Sequence, residues 1–365
     1  MGAFTVYWLM MGATAPFIGR LVDRYGPMKL IAIGAFITGL GFGLLSFIHN
    51  LWHFYVGWII IGVGMTGMGP IPSTAAVSNW FQKRRGTALG IMSTGIGAGG
   101  VIMAPLLGNY FIPDLGWRMS FLVITLIVWL LIPLVVFAIR MKPADIGVNS
   151  DGSQTPEAVV EAKASPLVPE GLTLKMALAT SAFWLINVSY LSNGFSQVGV
   201  VQNQVPYLGD IGFPVAIAAG ALGGVSFGSL VSKLFFGWLC DRIQPKYAWC
   251  LALVFTFTSI VVFMNVRPAS PLALIWLYAI FMGLASGGWL PTMSMVTSTT
   301  FGLAYYGTIF GMVNLAYYIG LAAGPLMAGY MYDIMGTYQG AFIIFLVLTA
   351  VAMPAILAVR RPKLP

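Results

Sequence analysis

Charged side chains are scarce in this sequence. Asp, Glu, Lys and Arg make up 8% of its 365 residues, whereas 59% are hydrophobic. A soluble domain carries about 25% charged residues, so this composition excludes a soluble protein. The two cysteines, Cys240 and Cys250, are too few for a disulfide framework. No nucleophile–base pattern or cluster of metal-ligand residues is present, so we expect no catalytic residue, no metal site and no cofactor.

Apolar segments long enough to cross the ~30 Å hydrocarbon core of a bilayer recur along the chain. Because backbone groups in lipid must hydrogen-bond internally, each segment is predicted to be a helix. The 44 glycines agree with this, since small residues let membrane helices approach closely. The sequence therefore predicts an all-α membrane protein with eleven spans, at about residues 1–19, 29–48, 53–79, 87–110, 118–139, 176–204, 213–236, 247–265, 272–298, 305–331 and 339–359.

The net charge of +8 comes from cations that lie mainly on one side of these spans. Fifteen of the eighteen Lys and Arg residues fall on that side, Arg118 and Arg267 fall on the other, and Lys233 lies within a span. The bias places residue 1 outside and the C-terminus in the cytoplasm of a cell whose plasma or inner membrane holds the chain. Cations in membrane loops argue for a lipid bilayer, and not a nucleic acid, as the partner.

A loop signature occurs twice, 218 residues apart, at the end of an apolar segment each time. A second set of residues also repeats, at an offset of 221: Gly86-Thr87 corresponds to Gly307-Thr308. Such a repeat predicts two related bundles, residues 1–140 with five spans and residues 176–365 with six, joined by a cytoplasmic linker at 141–175. The signature residues are Gly19, Asp23, Arg24, Gly26 and Lys29 in the first copy and Gly237, Asp241 and Arg242 in the second, where Gln244 replaces the later glycine.

This signature resembles the loop motif of the major facilitator superfamily. The runs Lys83-Arg84-Arg85-Gly86, Gly116-Trp117-Arg118 and Pro143-Ala144-Asp145-Ile146-Gly147 resemble its monocarboxylate-transporter and oxalate/formate-exchanger branch. The resemblance implies two pseudo-symmetric helical bundles. Members have twelve helices with the signature after the second, whereas here it follows the first span, so we expect the first helix to be missing.

In the family, the signature loop bonds to neighbouring helix ends and stabilises one face of the alternating-access cycle. The resemblance therefore implies a gating role for the signature residues, Asp23 and Arg24 above all. The alternative is that these charges only set the topology of the chain.

Lys233 is the main candidate for substrate binding. It lies eight residues before Asp241, roughly 12 Å inside the loop at the helical rise. An ionisable group in a span usually faces a cavity and a partner, and all ten acidic residues lie in loops or at segment ends. The monocarboxylate family places an arginine four residues before the glycine equivalent to Gly237, which is the position of Lys233. The alternative is a lysine that reaches back to the cytoplasmic headgroups.

Two polar stripes at helical spacing are further candidates. They either line a wet pathway or bond neighbouring helices. The first consists of Asn187, Tyr190, Gly194, Gln197 and Gln204, and the second of Gly307, Gly311, Asn314 and Tyr318, with Tyr317 adjacent.

These observations predict a monomeric secondary transporter for a small organic anion, a mono- or dicarboxylate. Coupling would be proton symport or anion exchange, and the lack of a carboxylate within a span favours exchange, although the missing helix could hold one. The alternatives are a carrier of a neutral solute or drug, with Lys233 structural, and a non-transporting membrane sensor. The longest loop, about 35 residues, is shorter than the soluble output domain that sensors usually carry.

Overall fold

A computed structural model describes residues 2–138, 171–268 and 270–362, and almost all of this part of the chain is helical. A π-helical segment, Leu107–Leu115, leads into α6. The helices are α1 Gly2–Tyr25, α2 Pro27–Ser46, α3 Leu51–Met68, α4 Pro70–Trp80, α5 Arg85–Leu106, α6 Gly116–Ala138, α7 Leu174–Leu178, α8 Ser181–Asp210, α9 Val215–Cys240, α10 Pro245–Met264, α11 Leu272–Phe301, α12 Tyr306–Met335 and α13 Gln339–Leu357.

Turn chemistry explains several helix boundaries. Gly26, with φ of 83°, adopts a conformation that favours glycine, and the chain reverses there between α1 and α2. Asn50 caps α3 by accepting a hydrogen bond from the His53 backbone N at 3.0 Å. The predicted span at 53–79 is divided into α3 and α4 at Gly69, because Pro70 has no N–H to continue the helical bonding.

Eight helical segments of the described residues are long and apolar enough to cross a membrane, compared with the eleven predicted. The predicted spans at 1–19 and 87–110 are also helical, and the one at 176–204 is helical apart from a turn at 179–180, but α1, α5 and α8 are not among the eight. α5 and α8 carry many Gly, Ser, Thr, Asn or Gln residues, and α1 contains few Ile, Leu or Val residues and has charged residues in its last two turns, all of which lower the mean hydropathy of a segment. The all-α membrane fold is confirmed, and the count of eleven is not.

Helices before residue 139 form one packed group and those after residue 170 form another, but α1 and α5 of the first group contact the second group more extensively than their own. In the first group α2 packs against α3 and α6; in the second, α11 packs against α9 and α10, and α8 against α12 and α13. The two groups meet where α1 lies along α12 and α5 lies along α9. Most of the linker predicted at 141–175 lies outside the described residues, and the boundaries 1–140 and 176–365 stay a prediction.

Glycines allow the backbones to touch at these two crossings. A Cβ atom at Gly237 of α9 would lie 2.6 Å from the Gly86 carbonyl oxygen and 2.7 Å from the Gly90 Cα of α5. At the other crossing, a Cβ atom at Gly311 of α12 would meet the backbone of Ala15 in α1. By contrast, Gly95 and Gly99, further along α5, have no neighbour within 4 Å of a Cβ position. Along α5, the contact with α9 is therefore closest at the signature-loop end.

We expect Gly90→Val to destabilise the folded protein by about 1–3 kcal/mol, because the new side chain would overlap backbone atoms of α9. A Cβ atom there would lie 2.6 Å from the Lys233 carbonyl oxygen and 3.0 Å from the Gly237 Cα. Thermal unfolding of the purified variant measures the effect. Gly95→Val in the same helix is the matched control, and an equal loss in both variants would contradict the packing argument.

Candidate functional site

Asp23, at the end of α1, bonds the first turn of α12. Its Oδ1 accepts a hydrogen bond from the Gly307 backbone N at 2.7 Å. Its Oδ2 accepts from the Thr308 backbone N at 2.7 Å and from the Thr308 hydroxyl at 2.6 Å. Backbone N–H groups at a helix N-terminus lack intrahelical partners and favour negative charge. The carboxylate thus caps a helix that belongs to the other half of the molecule.

Asp241, at the end of α9, makes the same contacts in the opposite direction. It accepts from the Gly86 backbone N at 2.7 Å, from the Thr87 backbone N at 2.8 Å and from the Thr87 hydroxyl at 2.6 Å. Gln244 stands where the first copy has Gly26, and its φ of −60° needs no glycine. The altered loop therefore leaves the carboxylate geometry the same as in the first copy. We call these two sets of bonds the Asp23 interlock and the Asp241 interlock.

The cations of the signature loops lie outside the interlocks. The guanidinium carbon of Arg24 lies 5.2 Å from the ring centre of Tyr25, and that of Arg242 lies 5.5 Å from the ring of Trp238. Arg24 and Lys29 line a cavity of about 440 Å³ that also contains Asp23. The gating roles of these residues stay a prediction.

Lys233 lies within α9 at the contact with α5, and its side chain is only 5% exposed. Among the described residues, Nζ has no hydrogen-bond or ion-pair partner. The backbone carbonyl oxygen of Lys233 lies against Gly90 of α5. The side-chain Nζ lies near Gly97 of the same helix, 3.3 Å from the position that a Cβ atom would take there. Gly97 is seven residues further from the signature-loop end of α5, roughly 10 Å at the helical rise. The amine therefore extends away from that end, towards the middle of the helix.

The polar stripe of α8 bonds mainly to α11. Tyr190 donates to the Thr292 hydroxyl at 3.2 Å, Gln197 Nε2 donates to the Ser286 hydroxyl at 3.1 Å, and the Tyr278 hydroxyl donates to Gln204 Oε1 at 2.6 Å. This is the arrangement expected of interhelical packing. Within the same helix, Asn187 donates to the Phe183 carbonyl at 2.8 Å, and Gly194 lies against Tyr317 of α12.

The stripe of α12 makes no side-chain bond to another helix among the described residues and keeps two buried polar atoms without partners, whereas the α8 stripe keeps one, Gln204 Nε2. Asn314 Nδ2 donates to the Phe310 carbonyl at 2.8 Å, but its Oδ1 and the Tyr318 hydroxyl have no hydrogen-bond partner. The Tyr318 ring stacks on Trp8 of α1 with centroids 5.5 Å apart, and Tyr317 stacks on Trp289 of α11 at 5.0 Å. Gly307 and Gly311 of this stripe lie instead at the crossing with α1.

Sequence reasoning did not identify Trp8, whose indole N–H is also buried without a partner. The available signal was its place on one face of α1 with Gly12, Ala15 and Gly19, the face that packs on α12. Trp289 was also missed, because a tryptophan in an apolar segment carries no polar signal by itself.

Lys233 and the α12 aromatics lie at similar depths from the signature-loop end. Lys233 is eight residues from Asp241, and Tyr318 is ten residues from Thr308, roughly 12 and 15 Å along their helices. Lys233 and the α12 aromatics also both contact α11. A Cβ atom at Gly287 of α11 would lie 2.6 Å from the Lys233 backbone N, and Trp289 of α11 stacks on Tyr317. No group of three or more His, Cys, Asp or Glu side chains in the described ranges is placed to bind a metal.

Known transporters resemble this chain in sequence and in fold. The chain is 25% identical to monocarboxylate transporter 13 of Bos taurus, covering 90% of this chain and 73% of that protein. It is 26% identical to a sialic acid transporter of Escherichia coli K12 (95% and 81%) and 25% identical to the oxalate:formate antiporter of Oxalobacter formigenes (85% and 70%). These relatives are transporters and not enzymes.

Two solved structures have the same architecture. The fucose:proton symporter of E. coli superposes with a TM-score of 0.72 at 16% identity, covering 99% of this chain and 90% of that one. The human organic anion transporter MFSD10 also has a TM-score of 0.72, at 14% identity, covering 98% and 83%. The sequence model of the Major Facilitator Superfamily matches residues 2–325 and, in a second alignment, 205–365. With this match over nearly its whole length, the chain belongs to the Major Facilitator Superfamily.

Proposed function

We propose that this transporter moves a small organic anion, a mono- or dicarboxylate, and that Lys233 binds the carboxylate. The observation that carries the proposal is a lysine side chain, 5% exposed and without a counter-ion among the described residues, placed where helices of the two halves touch. The names of the monocarboxylate and oxalate:formate relatives support the same class of substrate.

The electrostatics favour an exchangeable anion over a structural ion pair. An isolated charge buried away from water is costly unless it gains a partner, and that cost remains while the site is empty. A carboxylate bound at Nζ supplies the partner and is released again when the site opens to water. Because Nζ belongs to α9 and lies beside α5, the bound anion would contact both halves and respond to their relative movement.

The aromatic groups at a similar depth suit the rest of the substrate. Tyr318 Oη and Trp8 Nε1 are buried polar groups without partners, and such groups are usually hydrogen-bonded. Asn314 adds an unpaired amide oxygen one turn away. We include these residues and Tyr317 in the proposed site. We also include Asn187 of α8 in the site. Tyr190 and Gln197 of the same helix would position α11 through their hydrogen bonds to Thr292 and Ser286.

Transport would proceed by alternating access. In this structure both interlocks hold the signature-loop ends of the halves together, so access to Lys233 would come from the opposite end. We place the signature loops and the C-terminus in the cytoplasm, and the chain as a monomer in the plasma or inner membrane.

Anion exchange is the coupling mode that we favour over proton symport. The acidic residues of the described ranges all lie at or near helix ends, at Asp23, Asp114, Asp210, Asp241 and Asp333. A proton-coupled carrier usually needs an acid within the membrane.

Counterflow in proteoliposomes tests this function. The full chain is reconstituted with an internal unlabelled solute, and the entry of labelled oxalate, formate, lactate or the neutral sugar fucose is measured. We expect carboxylates to exchange and fucose not to. Exchange of fucose without exchange of any carboxylate would assign the chain to neutral solutes. Carboxylate uptake that requires an inward proton gradient would replace exchange by symport.

A further inference from the structure

A second cavity, of about 480 Å³, opens on the signature-loop side of the C-terminal half. It lies between the start of α10, the last turns of α11 and the residues that follow α13. We call it the basic cavity. Its lining residues include three cations, Lys246, Arg360 and Arg361, and no carboxylate among the residues that the structure describes. Nothing in the transport mechanism above uses these cations.

Lys246 ties the two sides of the basic cavity together. Its Nζ donates to the Val359 carbonyl at 3.0 Å and the Leu357 carbonyl at 3.3 Å, at the end of α13. Cations stabilise helix C-termini, which carry partial negative charge. This contact fixes the chain at Val359, so that Arg360 and Arg361 follow directly at the rim.

The two arginines have no acidic partner in the part of the chain that the structure describes. Both are exposed, and neither has a hydrogen-bond or ion-pair partner in the described ranges. The Thr300 hydroxyl, on the α11 side, also makes no hydrogen bond with a described residue. The cavity therefore offers an anion two guanidinium groups and a hydroxyl that have no partner among the described residues, and arginine forks match phosphate geometry well.

Comparison with the N-terminal half shows that this charge pattern is specific to one half. Val296, Thr299 and Thr300 of the basic cavity lie 221 residues after Ala75, Ser78 and Asn79, which line the cavity around Asp23. That equivalent cavity contains an acid beside its cations, Arg24 and Lys29. In the C-terminal half, Asp241 does not line the cavity and Arg360 and Arg361 do.

We propose that the basic cavity binds the phosphate of an anionic phospholipid headgroup from the leaflet that faces the signature loops. Its position at the ends of membrane helices is where headgroups lie, and basic pockets between such helices suit anionic headgroups. Val296, Val359 and Pro245 provide apolar lining for the carbon atoms next to the phosphate. A soluble phosphate shares the charge but would make no use of this apolar surface.

Native mass spectrometry of the purified, delipidated full chain tests the proposal. Phosphatidylglycerol is titrated against zwitterionic phosphatidylcholine, and apparent dissociation constants are compared. We expect phosphatidylglycerol to bind more tightly to the wild-type chain. The double variant Arg360→Gln/Arg361→Gln should lose roughly 10- to 30-fold of that affinity, the effect expected for two charges near an anionic surface.

The matched control is Arg84→Gln/Lys175→Gln, which removes the same charge from exposed positions outside the basic cavity. Its affinity should equal that of the wild-type chain. Equal binding of the two lipids, unchanged affinity in the Arg360/Arg361 variant, or the same loss in the control would overturn the proposal. Displacement of phosphatidylglycerol by millimolar inorganic phosphate would assign the cavity to a soluble anion instead.

Discussion

Replacing Lys233 with glutamine should reduce carboxylate counterflow by roughly 100-fold or more, since breaking a buried charge contact costs about 3–5 kcal/mol. Glutamine keeps a similar length and polarity but removes the only charge that lies deep within α9. Loss of transport should not reflect misfolding, because the variant removes an unpaired buried cation. We therefore expect it to melt at the same temperature as the wild-type chain or higher, measured without substrate.

Lys233→Arg is the conservative variant for this experiment. It keeps the charge but replaces a compact ammonium with a planar fork, so we expect transport that is reduced but measurable. Lys175→Gln, at an exposed position of α7, is the control for loss of any positive charge. Full carboxylate exchange by Lys233→Gln would remove Lys233 from the site, while leaving the membership of the superfamily intact.

Removing the Asp23 carboxylate should open the signature-loop end, and the native thiol of Cys240 would report it. Cys240 is buried beside Gly86, where a Cβ atom would lie 3.0 Å from the Cys240 Cβ. Asp23→Ala deletes three hydrogen bonds to the start of α12, a loss of about 2–4 kcal/mol for a carboxylate at a helix N-terminus. If the halves move as rigid bodies, Cys240 should react with a maleimide at least 10-fold faster, given that 1.4 kcal/mol is a factor of ten.

The design keeps the mutation away from the thiol that is measured. Asp23 bonds α12, whereas Cys240 lies at the Asp241 interlock, so the mutation does not touch its surroundings. Cys250→Ser provides a background with one thiol, and Asp333→Asn removes an exposed carboxylate near the far end of α12 as the control. An unchanged labelling rate in Asp23→Ala would mean that the two interlocks open independently or that Asp23 sets topology alone.

Composition and periodicity were enough to predict the helical membrane fold and the repeat. They were not enough to count the spans, because α1, α5 and α8 are rich in small, polar or aromatic residues and are not among the helices apolar enough to cross a membrane. The break at Gly69 was missed for a related reason, since Pro70 lies inside a continuous apolar run. Mean hydropathy identifies helices that face lipid well, but it identifies helices that mainly contact other helices poorly.

The partners of the signature loops illustrate what a single sequence leaves out. Gly86-Thr87 and Gly307-Thr308 were identified from the sequence only as matching positions of the repeat. In the structure, the first pair donates hydrogen bonds to Asp241 and the second pair to Asp23. Nothing in their spacing shows that each pair meets the loop of the opposite half, because that depends on how two bundles dock. The α8 stripe shows the same limit. Its helical period predicted that these residues share one face, but not that Thr292 and Ser286 of α11 would accept hydrogen bonds from that face.

The crossed pattern of the interlocks has a consequence for the origin of the chain. Asp23 of the N-terminal half accepts hydrogen bonds from the start of α12 in the C-terminal half. Asp241 of the C-terminal half accepts the equivalent bonds from the start of α5 in the N-terminal half. This reciprocity is the definition of an isologous two-fold contact, in which one surface patch complements itself. A half-length ancestor would therefore have assembled as a symmetric homodimer with both bonds already in place. Gene fusion would then have needed only to join its subunits.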